Sequence, residues 1–288
     1  MGGFVGHRLR FPFLARWGRP FCVFDKTDSG NLSFGVENKN GEKFFVKIAG
    51  ARTENSAVTP ARAIENLKRA VPLYEEMRHP RLIELIEHFS CGKVYAAVFR
   101  WARGDCFWDH WNFTRYAKTG EARPFDRFRA LPPEKRLRAF GDVLSFFEAV
   151  EAAGYVSIDF YLGSVMYDFE SGAMTFCDID LFRKQPCEND MGRMWGQRRF
   201  MAPEEIQLGA ALDARVNVYR LGAAAFVFLG EKEERPDRGL DRREDKWEAE
   251  PALYEIAMKA TAPAPEDRYA SVADFITAWN ESKQESEN

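Results

Sequence analysis

Residues 155–180 read "YVSIDFYLGSVMYDFESGAMTFCDID", and the fold is decided there. Asp159 precedes a short loop and a hairpin-like segment. Asp178 follows the apolar run "AMTFC", 19 positions after Asp159. That run should be a strand, with Asp178 at its end. Aspartates at strand ends commonly form turns. They also suit phosphoryl transfer, which needs one carboxylate to hold a divalent cation and a second to orient or deprotonate an acceptor hydroxyl.

The rest of the chain narrows the choice. It has 288 residues, 45% hydrophobic and 30% charged, with a formal net charge of -3. That is the composition of a globular domain and argues against a nucleic-acid scaffold. Cys22, Cys91, Cys106, Cys177 and Cys187 are scattered and odd in number, without a CxxC pair. They read as reduced thiols in a cytoplasmic chain. The four histidines lack metal-ligand spacing. No apolar run approaches the ~20 residues of a membrane span.

Periodicity divides the chain. "FCVFDK", "NLSFGVEN" and "KFFVKIAG" read as strands, the last two joined by an Asn40-Gly41 hairpin turn. Thr59 and Pro60 are expected to start a helix that Pro72 kinks or splits. "KVYAAVFRWARGD" is a strand ending in a polar crossing. Beyond residue 134 the pattern turns helical. Leu137, Phe140, Val143, Leu144, Phe147 and Val150 line one face of a helix stopping at Gly154, and "NVYRLGAAAFVFLG" reads as a buried helix. A strand-rich first third and a helical remainder imply an α+β chain of two lobes with a cleft between them.

Lys47 interrupts the apolar run "FFVKIAG", so its ammonium must find water or an anion. Gly30 and Gly35 in "SGNLSFGV", with Ser33 between them, come one hairpin earlier. This is a common turn composition, and it could also let backbone N–H groups close over phosphates.

Together these segments resemble the eukaryotic-like serine/threonine protein kinase superfamily over nearly the whole chain. "VKI" resembles the strand motif V-A-I-K, and "GYVSIDFYLGSVMYD" the catalytic loop H-R-D-L-x-x-x-N. "FCDIDLFR" is similar to the D-F-G segment, and Ala202-Pro203-Glu204 to A-P-E. "RHPRLIELIEHF" and "PEDRYASVADF" resemble further stretches of that family. The resemblance implies a β-rich N-lobe over 1–99, a hinge at 100–103, a helical C-lobe over 104–280 and a disordered tail at 281–288. It implies ATP with Mg²⁺ or Mn²⁺, a protein substrate, and neither nucleic acid nor a membrane span as partner. Asp159 would be the catalytic carboxylate and Lys47 the lysine on the ATP phosphates. Gly30, Ser33 and Gly35 would lie over the nucleotide, with Phe99 as gatekeeper and Arg100, Trp101 and Ala102 at the adenine. Asp178, Ser164 and Asp180 would hold the metal. Arg268 would pair with Glu204. Glu65, 18 residues after Lys47, would be its helix partner, although counting back from His79-Pro80 reaches Ala70 instead.

The chain also departs from the family. Ser157 and Ile158 replace the H-R of H-R-D, so no phosphate-anchored activation loop is expected. Tyr161 stands where the family has lysine, and Ser164 replaces the metal-binding asparagine. Asp178-Ile179-Asp180 replaces D-F-G, which leaves Asp180 as an added or alternative metal ligand. Leu32 is read at the middle glycine of the phosphate loop, and Asn217 replaces a supporting aspartate. Three functions fit: a divergent Ser/Thr protein kinase, a pseudokinase that binds without transferring, and a small-molecule phosphotransferase.

Overall fold

A computed structural model describes residues 11–25, 27, 29–53, 56–108, 113–230 and 239–287. The chain forms two compact units. Residues 1–103 and 109–121 make the first; 104–108 and 122–288 make the second.

The first unit opens with a short helix α1 (Leu14–Trp17) and strands β1 (Arg19–Phe24), β2 (Asn31–Glu37) and β3 (Lys43–Ala49). Helix α2 (Pro60–Glu76), β4 (Leu85–Cys91) and β5 (Val94–Arg100) follow. The strands form one antiparallel sheet in the order β1-β2-β3-β5-β4. Gly41, at φ 79, turns β2 into β3 as its sequence predicts. Alternation along β3 sends Val46 and Ile48 to one face and Lys47 to the other. Val46 and Ile48 join Leu14, Val36, Phe44, Ala96 and Val98 in a core capped by Phe11, Phe13 and Trp17. Each fully buried aliphatic side chain there contributes about 1.5–3 kcal/mol.

Helix α2 covers the Lys47 face. Thr59 caps it by accepting from the Arg62 N–H at 3.3 Å, and Pro60 is its first residue. It buries Ala63, Leu67, Ala70, Val71, Leu73 and Tyr74. The expected split at Pro72 does not occur, because the helix runs on to Glu76. Proline inside a helix costs about 3 kcal/mol, and the buried residues on both sides of it offset that.

The second unit begins with β6 (Asp105–Cys106); the segment carrying α3 (Phe113–Thr119) belongs to the first unit. Helices α4 (Pro124–Arg129) and α5 (Pro133–Ala152) lead to strands β7 (Tyr155–Val156), β8 (Val165–Tyr167) and β9 (Met174–Phe176). β10 (Arg183–Lys184), β11 (Cys187–Glu188) and β12 (Ala211–Leu212) are short; α6 (Ala214–Leu229), α7 (Pro251–Ala260) and α8 (Val272–Glu287) close the chain. α6 is buried from Val216 to Leu229 and so needs no polar face. A Cβ on Gly222 would lie 2.8 Å from that of Ala260, so the glycine lets α6 approach α7.

Residues 281–287 continue helix α8, where a disordered tail was expected. Glu, Lys and Gln are good helix formers, and extending an anchored helix needs no new nucleus. Residues 231–238 of the expected charged surface loop lie outside the described residues. The architecture is thus mixed α+β, an antiparallel sheet followed by helices, compatible with the two-lobed kinase-like fold. No helix among the described residues is long and apolar enough to cross a membrane.

Candidate active site

In the first unit Lys47 is buried at 8% exposure, and its cross-strand partners are Ser33 on β2 and Ala97 on β5. Ser33, at 4%, therefore shares its face. Asn31, two residues earlier on that face, is also buried and leaves its Oδ1 without a partner. Phe99 is buried against Tyr74 of α2, ring centroids 4.8 Å apart.

Three expectations need correction here. Glu65 does not pair with Lys47: it is 64% exposed and bonds Arg62 at 2.7 Å, one turn back on the same helix. α2 buries Ala63, Leu67 and Ala70, and Glu65 lies off that buried face. Secondly, Gly35 is not in the β1–β2 connection, which spans residues 25–30 and contains one glycine, Gly30. Gly35 lies within β2, where a Cβ would meet Cys22, Phe21 and Trp101 at 2.5–2.8 Å. Gly30, at φ 75, sits against Ser56 and Val58 before α2 and Ala63 within it, so packing alone requires it. Leu32 is likewise a buried β2 residue paired with Ile48. Thirdly, the Arg100 N–H donates to Glu84 O at 2.9 Å and the Trp101 N–H to Lys43 O at 3.1 Å. Of the three hinge residues, Ala102 keeps its backbone unengaged among the described residues.

The second unit assembles the quoted stretch. β7 pairs antiparallel with β10, which ties the start of the loop to the segment after Asp178. Asn217 of α6 supports the loop from below. Its Oδ1 accepts from the Ser157 N–H at 2.9 Å and hydroxyl at 2.7 Å, and its amide donates to Tyr155 O at 2.8 Å. The amide thus does with dipoles what a carboxylate would do with a buried charge, at lower desolvation cost. Ile158 joins Val156, Met194, Met201, Leu212 and Val216 in an apolar cluster. An arginine expected to grip a phosphate is replaced by a hydrophobic clamp on residues 194–201.

Asp159 (φ 62) and Asp178 (φ 57) are the two non-glycine residues with left-handed backbone among those described. Such conformations cost about 1–3 kcal/mol each and persist where the surroundings impose them. The surroundings here are aromatic. Phe160 is packed by Phe147 at 5.1 Å and Phe200 at 5.7 Å, and Phe176 stacks on Phe146 at 4.3 Å. The β8–β9 hairpin sets Val165 opposite Phe176, and the Cys177 N–H donates to Ser164 O at 2.9 Å. Ser164 and Asp178 are therefore neighbours across the hairpin's open end. The Ser164 hydroxyl is buried and makes no hydrogen bond. Asp180 follows in the turn closed by the bond from Phe182 N–H to Ile179 O. Two carboxylates and an orphaned hydroxyl are hard oxygen donors, the set that suits Mg²⁺. No group of three or more His, Cys, Asp or Glu placed to hold a metal occurs among the described residues; a serine would have to complete the set.

Tyr161 stands where the resembled family has a lysine. Its hydroxyl donates to Asp178 Oδ2 at 3.2 Å. Burial first, then the charges of Asp178 and Asp159, push its phenol pKa well above the ordinary value. The spacing Tyr161-x-Gly163 was the available sequence signal. Further on, Gly196 places its Cβ position 3.7 Å from Asp159 Oδ1. Glu204 and Arg268 form the anticipated pair, two bonds of 2.6 and 2.9 Å, buried. Glu205 forms a buried ion pair with Arg220.

The fold and this loop define a mixed α+β protein with kinase-like features, and the comparisons point the same way in part. No protein-family model matches the chain. It is similar to the serine/threonine-protein kinase Pkn1 of Myxococcus xanthus, 33% identical over 100 residues, 30% of this chain and 14% of that protein. It is also similar to CBL-interacting protein kinase 25 of Oryza sativa subsp. japonica, 21% identical over 211 residues, 72% of this chain and 38% of that one. The chain spans well under half the length of either relative.

Proposed function

We propose that this chain is a divergent ATP-dependent protein kinase that transfers the γ-phosphoryl group of ATP to serine or threonine hydroxyls of protein substrates. The observation that carries the reading is the pair of left-handed aspartates, Asp159 and Asp178, conformations that cost about 1–3 kcal/mol each and cluster at functional sites. Asp159 orients the acceptor hydroxyl and takes its proton. Lys47 meets the α- and β-phosphates, and the Ala102 backbone meets the adenine. Asp178, Ser164 and Asp180 are the residues that would hold Mg²⁺. The ion, when bound, would neutralise charge on the β- and γ-phosphates. With Ile158 in place of an arginine, phosphorylation of the segment before Glu204 is not needed to order it.

A second reading, a nucleotide-binding protein that does not transfer phosphate, is favoured by one observation: Glu65 is exposed and bonded to Arg62, so it does not fix Lys47. The test is incubation of the purified chain with labelled ATP and Mg²⁺ or Mn²⁺, beside Asp159→Asn and Lys47→Met. Label on serine or threonine, lost by at least about a hundredfold in both variants, supports the kinase. ATP binding without transfer supports the second reading. Label found on a small-molecule acceptor alone makes the chain a small-molecule phosphotransferase.

A further inference from the structure

We propose that Tyr161 is a positioning residue that fixes the Asp178 carboxylate for a divalent cation, and that Gly163 is glycine to make room for it. The inference rests on the reading of Asp178 as a metal ligand. The phenol donates to Asp178 Oδ2 at 3.2 Å, which leaves Oδ1 as the more basic oxygen. A Cβ on Gly163 would lie 2.3 Å from Tyr161 Cε2, 2.5 Å from Cζ and 2.7 Å from the hydroxyl oxygen, so any other residue at 163 would expel the ring. The turn beneath is pinned in turn, since the thiols of Cys106 and Cys177 both donate to Gly163 O, at 3.6 and 3.5 Å. Across the hairpin the Ser164 hydroxyl is buried without a partner.

The chemistry favours a tyrosine here. A lysine ammonium beside Asp178 would orient the carboxylate but repel a second cation. A phenol, protonated at neutral pH, orients it without that repulsion. Hydrogen bonds to ligating carboxylates are worth about 10- to 100-fold in metal affinity. A carboxylate already held in one rotamer also loses less entropy when a cation arrives.

The experiment is calorimetric titration of Mn²⁺ into the full chain, with and without ADP. The wild type is compared with Tyr161→Phe, Gly163→Ala, the double variant and Asp178→Asn, each checked for folding by circular dichroism. Tyr161→Phe keeps the ring and removes only the donor, so it should bind Mn²⁺ about tenfold more weakly. Gly163→Ala should match it by displacing the ring, and the double variant should fall no further. Wild-type or tighter affinity in Tyr161→Phe, with binding lost in Asp178→Asn, overturns the role of Tyr161 and leaves the metal site standing. Affinity unaffected by Asp178→Asn, or absent from the wild type, overturns the metal reading itself.

Discussion

The sheet around Lys47 and the loop around Asp159 treat their polar groups in opposite ways. On the sheet, Lys47 and Ser33 are buried on one face, and the helix packed over that face contributes alanine, leucine and tyrosine. Glu65 of that helix points to solvent and bonds Arg62. In the loop three departures from the resembled kinase pattern come with a partner, Ser157 with Asn217, Tyr161 with Gly163 and Ile158 with Met194 and Met201, while the Ser164 hydroxyl is left buried without one. A buried group left unsatisfied costs about 1–3 kcal/mol, which the bonds between Ser157 and Asn217 avoid. An exposed helix face imposes no such cost. The second unit thus holds its loop through buried side-chain pairs, whereas Glu65 of the first unit pairs at the surface.

The contrast is broken most directly at a buried ion pair of the second unit. Arg268→Ala leaves the Glu204 carboxylate buried, and it should lower stability by about 3–5 kcal/mol, read from the urea midpoint. Replacing both residues by apolar ones of similar volume should recover much of the loss. A single variant with near wild-type stability would mean that the pair is not buried in solution.

Next comes Asn217→Ala, which strands the Ser157 N–H and hydroxyl and the Tyr155 carbonyl; the expected loss is about 2–3 kcal/mol. A double-mutant cycle with Ser157→Ala should show coupling above about 0.5 kcal/mol. Additive effects would mean that Ser157 and Asn217 do not support each other.

The order of elements was legible in the sequence because periodicity reports which side of a strand or helix is dry. Lys47 among apolar neighbours and the buried helix after Asp213 are of that kind, whereas the Glu204–Arg268 pair is implied by the motif resemblance. What periodicity does not report is which of two registers a loop adopts. Gly35 looks like part of a phosphate loop until the β2–β3 pairing places it opposite Phe45 in mid-strand. Glu65 has the right distance from Lys47 along the chain but the wrong face of α2, because the rotation of a helix is set by where Leu67, Ala70 and Tyr74 can pack. At Tyr161 the motif records only that lysine is absent, whereas the hydroxyl bond to Asp178 depends on the room left at Gly163.

A smaller effect separates buried pairs from rim pairs. Asp126 of α4 is partly buried, which raises its pKa, but hydrogen bonds from Arg129 at 2.5 Å and Arg123 at 3.0 Å outweigh that and hold it below the ordinary 3.8. A depressed carboxyl pKa adds stability above the unfolded value and loses it as pH falls through the folded one. The acid limb of the stability profile below about pH 3.8 should thus be shallower in Asp126→Asn. An unchanged limb would assign acid sensitivity to other groups.

The smallest expected effect is the sharpest test of the contrast. Glu65→Ala removes an exposed i,i+3 bond to Arg62, a type of pair worth about 0.2–0.5 kcal/mol. Stability should move by no more than that, and nucleotide affinity should not move at all, because the carboxylate lies on the outward face of α2. Isothermal titration with ATP and Mg²⁺ reads this directly beside Lys47→Met. If Glu65→Ala weakens ATP as Lys47→Met does, α2 must rotate when nucleotide binds and carry Glu65 inward. The first unit would then hold its lysine partner in reserve, and the difference between the two units would be one of state rather than of sequence.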